Sequence, residues 1–90
     1  MIGNVIKAIR LEAKLSQDAL ADAITDELSG RTLPPTFVTK QAISLMETGK
    51  MKPNALMFEW LAYNSKSCMV KKLARRVLSE LSEFHGEGIA

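Results

Sequence analysis

Three polar side chains near the start of a short predicted helix have the chemistry needed to read nucleic-acid bases. Lys40, Gln41 and Ser44 fall on the expected exposed face of the segment 39–48. Lysine donates to guanine O6 and N7, glutamine bonds bidentately to adenine, and serine can contact either base. Because the major groove admits a helix and displays a distinct pattern for each base pair, this face predicts base contacts. The alternative is the solvated face that every amphipathic helix has.

The composition gives little support to other site chemistries. Cys68 and His85 are the only cysteine and histidine in the sequence, so an internal disulfide has no second cysteine and a buried metal centre would lack ligands. The sequence contains neither a glycine-rich phosphate loop nor a paired catalytic constellation. We therefore predict a protein that is not an enzyme and has no cofactor, in which Cys68 serves as a small apolar helix residue.

Apolar spacing predicts an all-α fold, a compact bundle of about five helices. The apolar positions are Ile2, Val5, Ile6, Ile9 and Ala13 in the first helix, Ala19, Leu20, Ala23 and Ile24 in the second, Val38, Ala42, Ile43 and Met46 in the third, Leu56, Met57, Trp60 and Leu61 in the fourth, and Val70, Leu73, Ala74, Val77, Leu78, Leu81 and Phe84 in the fifth. Ser16 and Thr39 are suited to cap the second and third helices. Gly49 is suited to end the third in a left-handed conformation.

A long connection separates the second and third predicted helices. The second helix is expected to continue to about Leu28, and the segment 29–36 that follows contains a glycine and two adjacent prolines. These residues disfavour helix, so we predict an exposed and mobile loop, inserted near residues 25–36. Arg31 within this loop either reaches a phosphate or the minor groove, or is simply solvated.

The apolar stripe of the last helix has near-heptad spacing, which leaves two uses open. It either packs within the same domain or forms the seam of a symmetric dimer. The residues expected at such a seam are Val70, Leu73, Val77 and Leu81. Basic residues of the same segment either add DNA backbone contacts or form a solubilising face, and they are Lys66, Lys71, Lys72, Arg75 and Arg76. The segment 86–90 is predicted to be a flexible tail.

Size and charge limit the organisation of the chain. With 90 residues and a formal net charge of +2, the chain has room for one core and shows a weak preference for a polyanionic partner. We predict a domain over residues 1–64 and a C-terminal amphipathic helix over 65–85. No apolar stretch approaches the roughly 20 residues of a membrane span, and no secretory signal is apparent. We therefore expect a cytoplasmic protein with no membrane partner.

Two separated parts of the sequence resemble the Cro and phage-repressor type of helix-turn-helix protein, also called the XRE family. Residues 6–10 (IKAIR) and 15–21 (LSQDALA) are similar to the first helix of that family and to the start of its second helix. Residues 41–53 (QAISLMETGKMKP) resemble its recognition helix and the ending of that helix. The resemblance runs from about residue 2 to residue 62. It implies a lambda-repressor-like fold in which the helix from about residue 39 to 48 enters the major groove.

The resemblance also implies roles for individual residues. Lys40, Gln41 and Ser44 take base-facing positions. The residues that lie beside the DNA backbone are Gln17, Lys50 and Lys52, to which we add Thr39 as a cap that touches a phosphate. Arg10 and Glu47 match a charged pair that ties the first helix to the end of the recognition helix, which is a structural role.

The sequence departs from the family pattern in two places. Eighteen residues separate Ile24 from Ile43, whereas the usual tight turn leaves about six between these positions. We expect residues 36–38 to restore the hydrophobic approach to the third helix, with the loop projecting outward. Lys14 stands where the family commonly has glycine, which requires either a left-handed residue or a different end to the first helix.

Together these observations predict a sequence-specific DNA-binding transcriptional regulator, a repressor that binds double-stranded DNA. A homodimer is expected because two-fold symmetry places two recognition helices about one DNA turn apart. The alternative is an antitoxin-like protein-binding module that masks a protein partner with its last helix or its inserted loop.

Overall fold

Five α-helices make up most of the chain that the structure describes, so the prediction of a small all-α bundle is confirmed. The structure is a computed structural model that describes the backbone of residues 2–89 and the side chains of residues 2–81. Its helices are α1 (Ile2–Glu12), α2 (Gln17–Glu27), α3 (Lys40–Glu47), α4 (Ala55–Asn64) and α5 (Cys68–Ile89), and a 3-10 turn at Leu28–Gly30 follows α2. Within this part of the chain no strand occurs, and no helix is both long and apolar enough to cross a membrane.

Local capping explains where three of the helices begin. The side chains of Ser16, Thr39 and Asn54 each accept a hydrogen bond from the backbone N–H three residues later, at 3.0, 3.1 and 2.9 Å respectively. Each bond satisfies one of the N–H groups that have no partner in the first turn of a helix. Gly49 follows α3 with a φ of 78°, the left-handed conformation expected of a glycine at this position.

The central helix of the core is α5, which packs against α1, α2 and α4. The residues predicted for a dimer seam are Val70 (0% exposed), Leu73 (1%), Val77 (0%) and Leu81 (4%). Of the two uses left open for this stripe, packing within the same domain is therefore confirmed, and the seam between two copies is wrong because α1, α2 and α4 of the same chain cover it. Burial of these four side chains stabilises the single domain, since each fully buried Leu or Val contributes about 1.5 to 3 kcal/mol.

The inward face of α4 differs from the predicted one by part of a helical turn. The residues that it buries are Met57, Phe58, Leu61 and Ala62. Leu56 was predicted to face the core but is 69% exposed, and Phe58, which the prediction omitted, is 1% exposed. Positions 56–58 are all apolar, so their types alone do not fix which of them points inward.

The connection between α2 and α3 begins later than predicted. Because α2 continues to Glu27 and the 3-10 turn extends it to Gly30, the irregular segment covers residues 31–39. Arg31 is only 8% exposed, and its Nη1 donates to the carbonyl oxygens of Leu33 and of Pro35, the latter at 2.9 Å. Neither prediction for Arg31, a DNA contact or a solvated side chain, was correct, since its guanidinium holds the loop from within.

The corner between α4 and α5 is fastened to the end of α2 by Glu27. One carboxylate oxygen of Glu27 accepts hydrogen bonds from the backbone N–H groups of Lys66 and Ser67, the latter at 2.7 Å, and from the Ser65 hydroxyl. The bond from Ser65 and those from the two backbone groups lower the pKa of the Glu27 carboxyl below its ordinary value. Docking of this corner on α2 therefore depends on the charged form of Glu27.

Two predictions for the C-terminal part of the chain also need correction. Cys68 is an exposed free thiol at the first residue of α5, so it does not pack as a small apolar residue. Helix α5 continues to Ile89, through most of the segment 86–90 that was predicted to be a tail, because glycine weakens a helix without removing its hydrogen bonds. The side chain of Phe84, predicted to continue the apolar stripe, lies outside the described residues.

Lys14, which follows α1, adopts a left-handed conformation with a φ of 60°, the first of the two outcomes expected from its position. A left-handed residue with a Cβ costs about 1 to 2 kcal/mol, and glycine avoids this cost while losing about 0.5 to 1 kcal/mol through its larger unfolded-state entropy. We therefore expect Lys14→Gly to raise the free energy of unfolding by about 0.5 to 1 kcal/mol, measured by urea denaturation. Lys14→Ala keeps the Cβ and is the control. An equal gain in both variants would contradict backbone strain as the cause.

Candidate nucleic-acid interface

Helix α3 presents the predicted base-reading residues on its outer side. Ile43 and Met46 are 0% and 3% exposed and fix the inner face against the core. On the other side Lys40 and Gln41 are exposed and Ser44 is half-buried. The structure therefore brings these three residues together on one surface, at the N-terminal end of a helix whose orientation is set by packing.

The C-terminal end of α3 is tied to α1 by a buried ion pair. Arg10 Nε lies 2.7 Å from Glu47 Oε2, and Arg10 Nη2 donates to Glu47 Oε1 at 3.1 Å. The two side chains are 11% and 4% exposed. Arg10 Nη1 also donates to the Leu15 carbonyl oxygen at 3.0 Å. The pair expected from the family resemblance is thus present with two-point geometry, the form that orients an arginine most strictly.

The surroundings of this pair keep both residues charged. Burial alone raises the pKa of the Glu47 carboxyl, but hydrogen bonds from Arg10 and Gln17 and the charges of Arg10 and Lys7 outweigh it, so this pKa lies below its ordinary value. The hydrogen bond with Glu47 raises the pKa of Arg10 above its ordinary value, against the opposing effect of burial. The tie between α1 and α3 is therefore an ionic one at neutral pH.

Gln17, predicted to contact the DNA backbone, takes part in the same network. Its Nε2 donates to Glu47 Oε1 at 3.1 Å, so the first residue of α2 also positions the end of α3. An amide nitrogen carries two hydrogens, and the described contacts use one of them. The side chain of Gln17 is thus oriented by Glu47 and keeps one N–H for a further acceptor.

Helices α1 and α3 approach each other so closely that only glycine fits between them. A Cβ built on Gly3 would lie 2.7 Å from the carbonyl oxygen of Met46 and still closer to that of Glu47. Both atoms belong to backbone, which cannot move aside as a flexible side chain can. Sequence reasoning missed Gly3, because nothing in its neighbours indicates a close approach to a helix more than 40 residues away.

A side chain of α2 fixes the N-terminal approach to α3. The Thr25 hydroxyl accepts a hydrogen bond from the Val38 N–H at 2.9 Å and donates to the Val38 carbonyl oxygen at 3.1 Å. Val38 directly precedes Thr39, the cap of α3. The contact between Thr25 and Val38 joins α2 to α3 where the family pattern has a tight turn, and α2 and α3 remain packed against each other. Residue types gave no signal for this contact.

Two further residues belong to the outer face of α3. Leu45 is 41% exposed and Thr48 is exposed, and both share with Gln41 the i, i+4, i+7 spacing of one helical face. The Thr48 hydroxyl is within hydrogen-bond distance of the Ser44 and Leu45 carbonyl oxygens, at 3.0 and 3.2 Å. An exposed leucine beside polar side chains is suited to the thymine methyl group, the apolar feature of the major groove.

Charges of both signs border this face. Lys50 and Lys52 are exposed in the turn after α3, as expected of residues beside phosphates. A groove beside the N-terminal end of α3 is lined in part by Asp18, Asp22, Lys40 and Gln41. Carboxylates repel phosphates and lysines attract them, so the turn after α3 is more favourable to a polyanion than this groove is.

The basic residues of the segment 66–76 are not joined to α3 by any described hydrogen bond or ion pair. Lys72 instead pairs with Glu12 at 3.1 Å, with both side chains largely exposed. Lys66, Arg75 and Arg76 are exposed and Lys71 is half-buried. An exposed ion pair contributes little to stability, so this pair does not decide between the two predicted uses of the basic residues. These uses are DNA backbone contacts and a solubilising face.

Comparison of the chain with protein-family models, with curated protein sequences and with solved structures gives no match. The resemblance to the XRE family therefore stays a prediction, and support for a function comes from the residues of the site themselves.

Proposed function

We propose that this protein is a sequence-specific DNA-binding regulator of transcription that inserts α3 into the major groove. The observation that carries the proposal is the exposure of Lys40 and Gln41 at the N-terminal end of α3 while both ends of the helix are held. The Thr25 hydroxyl holds one end through Val38, and the Arg10 to Glu47 pair holds the other. A helix fixed in this way presents its polar side chains without a large ordering cost on binding.

In the proposed complex, base readout and backbone contacts fall to different residues. Gln41 bonds to an adenine, Lys40 to a guanine, and Leu45 packs against a thymine methyl group. Lys50 and the free N–H of Gln17 contact phosphates and fix the register of the protein on the duplex. Asp18 and Asp22 line a groove together with Lys40 and Gln41, and their charges keep the phosphate backbone out of that groove.

We further propose that the protein represses transcription, because occupation of a promoter by a DNA-binding domain blocks polymerase without another contact. Binding as a homodimer stays a prediction. The buried stripe of α5 does not supply its seam, and for the same reason this stripe is closed to the protein partner of the alternative function.

Selection of binding sequences from random duplexes, followed by anisotropy titrations of single variants, tests the proposal. We expect Gln41→Ala to relax the preference at one base position, at a cost of about 1 to 3 kcal/mol for the preferred sequence. Lys50→Ala is expected to weaken all sequences about equally and to reduce the slope of log K against log salt by about 0.9. The two variants thus distinguish the loss of a base contact from the loss of a phosphate contact.

Lys66→Ala is the matched control for loss of a lysine. The Lys66 backbone N–H bonds to Glu27 at the last residue of α2, about 15 Å along that helix from Gln17. Of the two predicted uses of Lys66 we therefore propose the solubilising face, and we expect loss of its side chain to leave the salt slope unchanged. Absence of any selected sequence, or equal and sequence-independent losses in Gln41→Ala and Lys50→Ala, would contradict the proposal.

A further inference from the structure

A cavity of about 320 Å³ opens between the inserted connection and the outer face of α4. Its walls are mostly apolar, and the lining residues that matter here are Arg31, Leu33, Leu56, Glu59, Trp60 and Tyr63. Leu33, Leu56 and Tyr63 are 66%, 69% and 79% exposed, so three large side chains form a rim with little cover of their own. Small-molecule sites combine such apolar walls with a few polar groups that fix orientation.

The polar group at this cavity is a buried arginine with unused donors. Arg31 is 8% exposed, and its Nη1 donates to the carbonyl oxygens of Leu33 and Pro35. Its Nε is shielded from solvent and has no hydrogen-bond partner. Among the described residues, no acceptor bonds to Nη2, and no carboxylate lies within ion-pair distance of Arg31. Burial of a charge is costly unless it is paired.

The unused donors lie on one edge of the guanidinium. Nε–H and Nη2–H are parallel and match the two oxygens of a carboxylate, which is the geometry of the strongest arginine pairs. The Leu33 and Pro35 carbonyl oxygens bond to Nη1 and not to this edge. Arg31 is thus held in this conformation by its Nη1 alone, and its Nε and Nη2 have no carboxylate partner among the described residues.

We propose that this cavity binds a small organic carboxylate with an apolar ring or short alkyl body. The carboxylate pairs with the Nε and Nη2 edge of Arg31, which turns towards the cavity in a rotamer change of the kind common on binding. This change exchanges the Nη1 bonds to the Leu33 and Pro35 carbonyl oxygens for the ion pair. The apolar body packs against Trp60 and Leu56. Glu59 on the rim repels a second negative charge, so the site favours a monoanion with an apolar body over the dianion of phosphate. This inference does not rest on the proposed DNA binding.

Trp60 allows a direct test because it is the only tryptophan in the sequence. Tryptophan fluorescence is titrated with cyclohexanecarboxylate, with the neutral cyclohexanecarboxamide and with inorganic phosphate, at constant pH and ionic strength. We expect a saturable change with the carboxylate, at a dissociation constant of about 1 mM. The amide and phosphate should give no saturation over the same range.

Three variants locate the binding site. Arg31→Met keeps the aliphatic stem and should abolish the saturable change. Leu56→Asp alters an exposed rim residue, so it should fold normally and weaken carboxylate binding by about tenfold or more through charge repulsion. Leu11→Asp places the same substitution on an exposed residue of α1 that does not line the cavity, and it should leave binding unchanged.

The proposal is overturned if the carboxylate gives no saturable change, or if the amide or phosphate binds equally well. It is overturned as well if Leu56→Asp behaves like Leu11→Asp. The rim variant keeps the test decisive even if Arg31→Met fails to fold.

Discussion

Glu47→Ala is expected to lower the free energy of unfolding by about 3 kcal/mol, because it leaves the Arg10 guanidinium buried without its acid. The same change removes the acceptor of Gln17 and frees the end of α3 from both α1 and α2. For a domain whose total stability is about 5 to 15 kcal/mol, this is a large fraction. Urea denaturation followed by circular dichroism measures it.

Glu12→Ala is the matched control for loss of a paired glutamate. Its partner is Lys72, the two side chains are 71% and 51% exposed, and exposed pairs contribute about 1 kcal/mol or less. Glu47→Ala should therefore cost several times more than Glu12→Ala. Equal losses of unfolding free energy in the two variants would show that the buried pair stabilises the protein no more than the exposed pair does.

Acidification should weaken the fold through Glu47 and Glu27. Both carboxyls have a folded-state pKa below the ordinary value of 4.5, so the unfolded chain binds protons more readily than the folded one below that pH. Their stabilising contribution is complete above pH 4.5 and is lost as the pH falls towards the folded values. Thermal denaturation between pH 3 and 7 should show this loss, with a shallower dependence in Glu47→Gln. An unchanged dependence in that variant would assign the loss to other carboxyls.

Gly3→Ala is expected to destabilise the protein by about 3 kcal/mol, although the same change within a helix ordinarily stabilises by about 0.5 to 1 kcal/mol. The reversal of sign follows from the added Cβ, which would meet the carbonyl oxygens of Met46 and Glu47. Relief requires α1 to move away from α3, which also strains the Arg10 to Glu47 pair. The measurement is again the free energy of unfolding from urea denaturation.

Gly30→Ala provides the comparison within the same protein. Nothing lies within 4 Å of a Cβ built on Gly30, so this variant should be neutral or slightly stabilising. A destabilisation of the same size at both glycines would rule out the close approach of α1 and α3 as the cause. Preserved stability in Gly3→Ala would show that α1 can shift at little cost.

The parts of the fold that the sequence predicted well are those governed by neighbouring residues. The caps at Ser16 and Thr39 and the left-handed Gly49 depend on a few positions on either side, so their residue types carry the information. The pair of Arg10 with Glu47 lies 37 residues apart in sequence and was expected only because two segments resemble a known family.

The wrong predictions concern residues that are buried by segments distant in the sequence. The sequence of an apolar stripe with near-heptad spacing is the same whether a second copy or three helices of its own chain bury the stripe. In this protein Val70 and Val77 lie in the core of the single chain. Arg31 was expected to be exposed because its neighbours are turn residues, but its burial depends on how the connection folds against α4. The contact of Thr25 with Val38 and the closeness of Gly3 to α3 have no local signal at all.

The hydrogen bonds between Thr25 and Val38 have a consequence for how this scaffold tolerates insertions and deletions. They fasten the chain just before the cap of α3, so the length of the connection over residues 32–37 does not set how α2 and α3 pack against each other. A peptide epitope or a reporter tag grafted there would leave the outer face of α3 in place. The connection can therefore change in length while the point at which it enters α3 stays fixed.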